Sequence, residues 1–491
     1  MVVAVDGRSL TLTAAIDVAE RGVTIKASPA SLKQMEKFRS LLEEKLSRGE
    51  VVYGVNTGFG SLSDKVVRPE NLEELQLNLI RSHSAGVGSP LPTEVVRAAM
   101  LIRLNSLLNG NSAVRKEVAE LIVGMLNRGV TPFVPEFGSL GASGDLIPSA
   151  HMALAMLGEG KAYRRGKLID SARALSDSRL RAIKLHAKEG LSLINGTAFT
   201  TALSCIAVHR GGILLSAANS TLAVTAEVLR ACSQSFDERL VGVKLDPGQD
   251  FVAREIRSLL RGSRRIRSEP VPQDPYSIRC APQVHGSMKT ALGFAGKITV
   301  DEMNSVSDNP VLLDDGKVMH GGNFHAQPVA MALDLMSLSL SYLGVISLAR
   351  IHYLLSKTPP ESKYMAGKPG LESGLMILEY TATALANDNA KNIYPLSSYP
   401  ASVSGGIEDH ASHGVNAGVK CLQVAANVSR ILAVELICAS NVLGSNESGI
   451  SDHARSVSAF VRGLSPLLRG DRVQGGEIEL LAKETLAGKL P

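Results

Sequence analysis

A chain of 491 residues, at roughly 150 per domain, has room for about three domains or for one large interlocked unit. Hydrophobic residues make up 45% and charged ones 20%, while aromatics are 4% with no Trp, so a core must be assembled from Ala, Leu, Val and Ile, which suits close helix packing better than a β-sandwich. The net charge of +5 is small for this length, and its dense basic run, Arg261-Gly-Ser-Arg264-Arg265-Ile-Arg267, reads as a solvated loop, which argues against a nucleic-acid partner.

The first twenty-five residues alternate in a strand-like way, Val2-Val-Ala-Val and then Ser9-Leu-Thr-Leu-Thr, about a predicted hairpin turn at Asp6-Gly7. From Ser31 the period becomes helical. Ser31 and Gln34 form a predicted capping box, Met35, Phe38, Leu42 and Leu46 share a face, and Gly49 ends the run. Further helices are predicted at about Thr93 to Leu108 and Val114 to Asn127. Between these segments lie three glycine-rich loops: Tyr53-Gly-Val-Asn-Thr-Gly-Phe-Gly60, Ser82-His-Ser-Ala-Gly-Val-Gly88 and Phe137-Gly-Ser-Leu-Gly-Ala-Ser-Gly144-Asp. Loops on a rigid scaffold are where chemistry usually sits. Beyond Asn195 come long apolar helices, about Thr197 to Ser233, Met288 to Asn304, Gln327 to Leu355 and Val415 to Val442. Helices apolar nearly all round need burial on every side, so a bundle shared between subunits is expected. The division is residues 1–200, carrying the loops, and residues 201–491, a central bundle with a C-terminal helical region, the two interlocked.

Cys205, Cys232, Cys280, Cys421 and Cys438 form no CxxC pair and read as reduced thiols in a cytosolic core. No charged start followed by an apolar core and a small-residue cleavage site opens the sequence, so no export signal is expected. The apolar stretches at Gly211 to Ala226 and between Asp334 and Arg350 fall short of the ~20 residues of a membrane span and read as buried helices.

There is no GxGxxG after a strand, no P-loop and no HExxH. Glu408-Asp-His410-Ala-Ser-His413 has metal-ligand residue types, but such a cluster more often forms a hydrogen-bonded helix start. The informative element is Gly141-Ala-Ser-Gly144-Asp, flanked by Pro135 and Pro148. If the backbone here is bent tightly, the Gly144 amide nitrogen can attack the Ala142 carbonyl carbon, and two dehydrations give a methylidene-imidazolone ring. Gly144 allows the close approach, Ala142 is small, and Ser143 supplies the hydroxyl lost to form the exocyclic methylene. Taken alone, Ala-Ser-Gly is an ordinary loop sequence, Asn195 before Gly196 a helix cap, and Tyr276 with Arg279 a packed aromatic and a surface charge.

The company these residues keep changes that reading. Gly138-Ser-Leu-Gly-Ala-Ser-Gly-Asp-Leu-Ile-Pro148 resembles the cofactor-forming signature of the aromatic amino acid ammonia-lyase family. Tyr53 to Gly60, Ile194-Asn-Gly-Thr197, Gln273-Asp-Pro-Tyr-Ser-Ile-Arg279, Asn304-Ser-Val-Ser-Asp-Asn-Pro310 and Gly322-Asn-Phe-His325 each match a family motif in the family's order, from about residue 30 to 450. The resemblance implies a mainly α, fumarase/aspartase-like long helical bundle with a small N-terminal β element and a loop-rich active-site region. It also implies a cytoplasmic homotetramer whose active sites draw on more than one chain. The electrophile would be 4-methylidene-imidazol-5-one formed from Ala142, Ser143 and Gly144, with no external cofactor or metal.

Site roles follow by resemblance. Tyr53 takes the substrate's β-proton; a phenol titrates near about 10 in water, so this base needs a cation or several donors around it. Gly60 lies in the same loop, which would act as a lid. Asn195 and Tyr276 hydrogen-bond the cofactor ring or assist its formation, and Arg279 grips the substrate carboxylate with its guanidinium fork. Gln273 and Phe324 support the cofactor pocket. After Asn78-Leu-Ile-Arg81 the chain reads Ser82-His83, which resembles histidine-specific members; tyrosine-specific ones resemble His-Leu there and phenylalanine-specific ones Phe-Leu. Glu408 is a second marker, since a carboxylate suits an imidazole and is costly beside a buried phenyl ring. Against these stand Gly406-Ile407 where the histidine-specific pattern has Asn-Gln, and Gln327 where Glu is common. Rival readings are a tyrosine or phenylalanine ammonia-lyase, a 2,3-aminomutase, and a non-catalytic oligomeric binding protein.

Overall fold

The computed structural model describes residues 2–62, 64–269 and 271–491. Helices dominate, and among the described residues sheet is confined to four patches of two or three short strands. The expected mainly α architecture is therefore what the chain adopts. Two compact units result. The first runs through Ile206 and takes in Ala295–Asp334 and Pro395–Val419; the second comprises Ala207–Phe294, Leu335–Tyr394 and Lys420–Pro491.

The N-terminal hairpin is not formed. Val2–Val5 pairs in parallel with Thr24–Ala27, and the intervening Leu12–Glu20 is a helix. Asp6 turns the chain by accepting from the backbone N–H groups of Arg8 and Ser9 at 2.9 Å each, and Thr11 Oγ1 caps the helix by accepting from Ala14 N at 3.2 Å. The alternation of Ser9 to Thr13 is thus overridden by the helical set Ala15, Ile16, Val18 and Ala19, all buried. Parallel strands then need a crossover, which this helix provides. Arg97 completes the arrangement, its guanidinium donating to the Val18 and Ala19 carbonyls that the end of that helix leaves unpaired.

The next helix, Pro29–Ser47, starts earlier than the predicted capping box. Ser28 is its cap and Pro29 occupies the first turn, where its missing N–H is harmless. Ser31 instead donates to the Asp6 carbonyl at 2.8 Å, and Met35, Phe38 and Leu42 are buried as the periodicity predicts.

Three helices, Ala198–Val228, Gln327–Ser356 and Gly414–Leu443, are 30 or 31 residues long and apolar enough to cross a membrane, so the reading that such stretches are too short is corrected. Their most apolar windows are 72 to 83% buried within this one chain, which makes them core helices and supplies most of the burial that sequence reasoning assigned to neighbouring subunits. None of the five cysteines forms a disulfide, and burial pushes the Cys205 thiol up to about 12, so it stays protonated.

In the first unit Gly414 and Gly418, one turn apart, let two helices touch backbone to side chain. A Cβ on Gly414 would lie 2.4 Å from Thr200 Cγ2, and one on Gly418 would lie 2.5 Å from Leu203 Cβ. In the second unit the fully buried pair Arg350–Glu435 is closed at 2.6 and 2.8 Å, and Thr225 and Ser347 hydroxyls donate to the same carboxylate. Every Glu435 oxygen is thereby satisfied, the condition under which a buried ion pair is tolerated. Replacing Gly418 with Ala should cost about 1–3 kcal/mol of stability through overpacking, whereas Ala at the open position Gly463 should not; urea melts of both variants check this.

Candidate active site

The Ala142-Ser143-Gly144 stretch is held at both ends by backbone hydrogen bonds. Upstream, Ser412 N donates to the Gly141 carbonyl at 3.2 Å and His413 N to that of Leu140 at 2.8 Å. Downstream, Asp145 N donates to the Gly196 carbonyl at 2.7 Å. Between these anchors Asn195 Nδ2 donates to the Ser143 carbonyl at 3.0 Å. Gly141 and Gly144 stand at φ +74° and +78°, a region that other residues enter at a cost. A Cβ on Gly144 would meet the Gly196 oxygen at 2.4 Å, so only glycine fits there. The Asn195 Oδ1 atom is buried with no hydrogen-bond partner among the described residues, a spare acceptor at the edge of the tripeptide. Tight turning, glycine at the approach point and an unused acceptor are what closure of a five-membered ring by Gly144 on Ala142 calls for.

Ser143 lines three adjoining recesses of about 480, 400 and 350 Å³. Glu408 lines all three as well. Ser82 and His83 line the first two, Tyr53 and Asn195 the first and third, and Phe324 the third. The apolar wall of the largest comes from Leu75, Leu79, Leu146, Leu191 and Ile194. An apolar cleft with a few convergent polar groups is the usual form of a small-molecule site.

Tyr53 is carried on a loop folded by its own polar groups, with Asn56 Oδ1 accepting from Val52 N at 2.7 Å and Thr57 Oγ1 from Gly54 N at 3.0 Å. Gly60 N–H donates to the Tyr53 oxygen at 3.2 Å, and the His320 ring stands edge-on to the phenol at 5.8 Å. His83 Nδ1 faces the Leu79 carbonyl at 2.9 Å, so that nitrogen carries the proton and Nε2 is left as an acceptor. Burial holds the His83 imidazole below its ordinary range, against the Leu79 carbonyl and the Glu408 charge, so the ring is neutral at neutral pH.

Gln273, Tyr276 and Arg279 are not among the residues lining these recesses. They stand together in the second unit, where the Gln273 side-chain oxygen accepts from Arg279 Nη1 and the guanidinium lies 5.3 Å from the Tyr276 ring centroid. Tyr276 is 72% exposed there. Ile407, flagged as a departure, is 64% exposed on the rim of the third recess. Gln327 is occupied elsewhere, donating to the Ser397 carbonyl at 3.1 Å.

The Glu408 to His413 cluster is split. His410 stacks on His325 with centroids 5.3 Å apart, whereas His413 meets the edge of Tyr399. Among the described residues no group of three or more His, Cys, Asp or Glu side chains is disposed to hold a metal ion. The sequence reading missed His320, His325 and His410 as site-lining or site-adjacent rings, although His325 closes a quoted motif. It also missed Asp145, fully buried directly after Gly144, whose two oxygens accept from Thr200 N and Thr200 Oγ1 at 2.7 Å each.

Burial pushes the Asp145 carboxyl up from 3.8 to about 6, against the Thr200 hydrogen bonds and the charge of Arg103. A raised carboxyl keeps its proton in the folded chain after the unfolded chain has lost it, so its stabilising contribution is full below pH 3.8 and is lost as pH rises through about 6. That difference is worth about 3 kcal/mol. Denaturation from acid to neutral pH should show a decline in stability that is shallower by this amount in Asp145→Asn.

These features have counterparts in known proteins. The family model for aromatic amino acid lyases matches residues 10–463. A histidine ammonia-lyase from Symbiobacterium thermophilum is 42% identical over 493 aligned residues, covering 99% of this chain and 96% of that one. Tyrosine aminomutase from Streptomyces globisporus superposes with a TM-score of 0.94 at 33% identity, covering 100% and 98% of the two chains. Histidine ammonia-lyase from Trypanosoma cruzi does so with a TM-score of 0.90 at 36% identity, covering 100% and 96%. With the family model matching residues 10–463 and a relative 42% identical over nearly the whole chain, the chain belongs to the aromatic amino acid lyases.

Proposed function

We propose that this protein eliminates ammonia from L-histidine to give trans-urocanate, with Ala142, Ser143 and Gly144 converted autocatalytically to 4-methylidene-imidazol-5-one. The observation that carries the proposal is the convergence of Ser143, Tyr53, His83 and Glu408 on adjoining recesses. The relatives named histidine ammonia-lyase support the choice of substrate. The ring would supply an electrophilic carbon to the substrate amine, making ammonia a good leaving group.

The chain's own groups do the rest. Tyr53 takes the β-proton at its phenolic oxygen, which the Gly60 N–H donor holds in place. Glu408 accepts from an imidazole N–H of the substrate, with the neutral His83 beside it, so a ring that carries an N–H is held while a phenyl ring leaves the Glu408 carboxylate unpaired. Asn195 fixes the Ser143 carbonyl. Arg279 binds the substrate carboxylate, with Tyr276 and Gln273 beside it, and we assign these three to a site completed by another subunit of a cytoplasmic homotetramer.

A second reading within the family is an amine shift to the β-carbon, favoured by the TM-score of 0.94 with a tyrosine aminomutase and by Ile407 at the rim. Ultraviolet absorbance during incubation with L-histidine, L-tyrosine and L-phenylalanine, with chromatography for β-amino acids, separates the two. Urocanate from histidine alone, absent in Ser143→Ala, is the expected result; turnover of only an aromatic substrate, or a β-amino acid product, would refute the assignment. Glu408→Gln should lower kcat/KM for histidine about tenfold to hundredfold through loss of a charged hydrogen-bond acceptor.

A further inference from the structure

Behind the electrophile loop lies a guanidinium that the proposed reaction does not use. Arg103 belongs to the Thr93–Leu107 helix, which is buried from Val95 to its end. The Arg103 side chain is fully buried, and none of its three nitrogens has a hydrogen-bond partner among the described residues. A cation in that position is costly unless a charge balances it, so its retention calls for a role.

Its position is set by Gly196. A Cβ on Gly196 would lie 2.5 Å from Arg103 Nη2 and 2.9 Å from Nη1. Gly196 is in turn the surface on which Gly144 rests: the two are paired in a β-bridge, and Asp145 N donates to the Gly196 carbonyl at 2.7 Å. The order is therefore Gly144, Gly196, guanidinium, with no side chain between. Asp145 and Asp308 are the carboxylates whose charge reaches Arg103. Asp308 already has a cation, Lys188 Nζ at 2.7 Å, and a Ser192 hydroxyl at 2.9 Å. Asp145 has the two donors of Thr200 and the backbone of Phe199, near the start of the Ala198–Val228 helix, and no cation at hydrogen-bond distance among the described residues.

We infer that Arg103 is a positioning residue for the electrophile loop, serving as the floor beneath Gly196 and as the counter-charge of Asp145. This rests on the reading that Ala142-Ser143-Gly144 closes into a ring. An ionised Asp145 gives one oxygen to Thr200 N–H and the other to Thr200 Oγ1–H, fixing the residue directly after Gly144. A protonated Asp145 has one oxygen fewer to accept with, which loosens the Thr200 pair that fixes the residue directly after Gly144. Burial drives Asp145 toward the protonated form and Arg103 opposes it. Arg103 lines none of the three recesses, so it acts through the loop and not on substrate.

The test reads ring closure as the loss of two water molecules from the peptide carrying Ala142-Ser143-Gly144, by mass spectrometry of purified protein, alongside a thermal melt. Arg103→Met should melt cooperatively yet show a closed fraction at neutral pH lower by about twofold or more, the loss of Asp145 ionisation at pH 7 when a carboxyl at about 6 rises by one pKa unit or more. Incubating that open protein in alkaline buffer should restore closure, and Arg103→Lys should close like the parent. If Arg103→Met does not melt cooperatively, Arg103→Gln, which keeps hydrogen-bonding capacity without charge, takes its place with the same expectations. Folded neutral variants that close like the parent overturn the inference, as does an Arg103→Lys protein as defective as they are. A parent chain that is itself open refutes the ring-closure reading instead, so the two failures are distinguishable.

Discussion

The site depends on one constraint: residues Gly141 to Asp145 cannot relax, because backbone hydrogen bonds hold them from both sides. Ser412 and His413 take the carbonyls of Gly141 and Leu140, and Gly196 takes the N–H of Asp145. A peptide amide attacks a carbonyl two residues back only when the intervening chain is compressed, since extended backbone places the two far apart. The glycines at 141, 144 and 196 are the residues that make compression possible, two of them with backbone angles in the left-handed region and two of them touching. The same clamps leave Ser143 facing the recesses that Tyr53, His83 and Glu408 also line.

Around that clamp the fold spends buried polar groups where an apolar core would have been simpler. Lys188–Asp308, Asp145 with Thr200, and Arg97 on the Val18 and Ala19 carbonyls are all inside the first unit. Each has more than one partner, which gives direction as well as stability: a hydrogen bond fixes an angle that a methyl contact does not. The second unit has a counterpart in Arg350, whose guanidinium holds Glu435 and reaches the Ser277 carbonyl at 3.3 Å, steadying the short helix that carries Tyr276 and Arg279. The side chains proposed for the site, in each unit, thus sit on backbone held by buried charge.

Three of the long helices were legible in the sequence because their apolar character runs unbroken for about eight turns, and each starts within a residue of its expected start; the fourth, Ala281–Met303, starts seven residues before the expected Met288. The N-terminal segment was not, because Ser9-Leu-Thr-Leu-Thr satisfies a strand period over five residues while the residues that decide its conformation, Ala15 to Ala19, come later and pack on a helix from another part of the chain. Ser31 was misread for a similar reason: its hydroxyl is drawn to the Asp6 carbonyl, a tertiary contact without a local signature. Candidate site residues on glycine-rich loops were named through their resemblance to the family's motifs. Arg103 and Asp145 were not, because an arginine in a helix and an aspartate after a glycine look solvated until distant segments close over them. Gln273, Tyr276 and Arg279 form a mutual cluster that the motif predicts, but no sequence pattern says that none of the three lines the recesses around Ser143.

The most direct test of the account is the mass of the proteolytic peptide that carries Ala142-Ser143-Gly144, taken from protein purified without added substrate. The account predicts a peptide lighter than its sequence by two water molecules, and a Ser143→Ala peptide that has not lost both. A parent peptide at its full sequence mass, from protein that melts cooperatively, would contradict it.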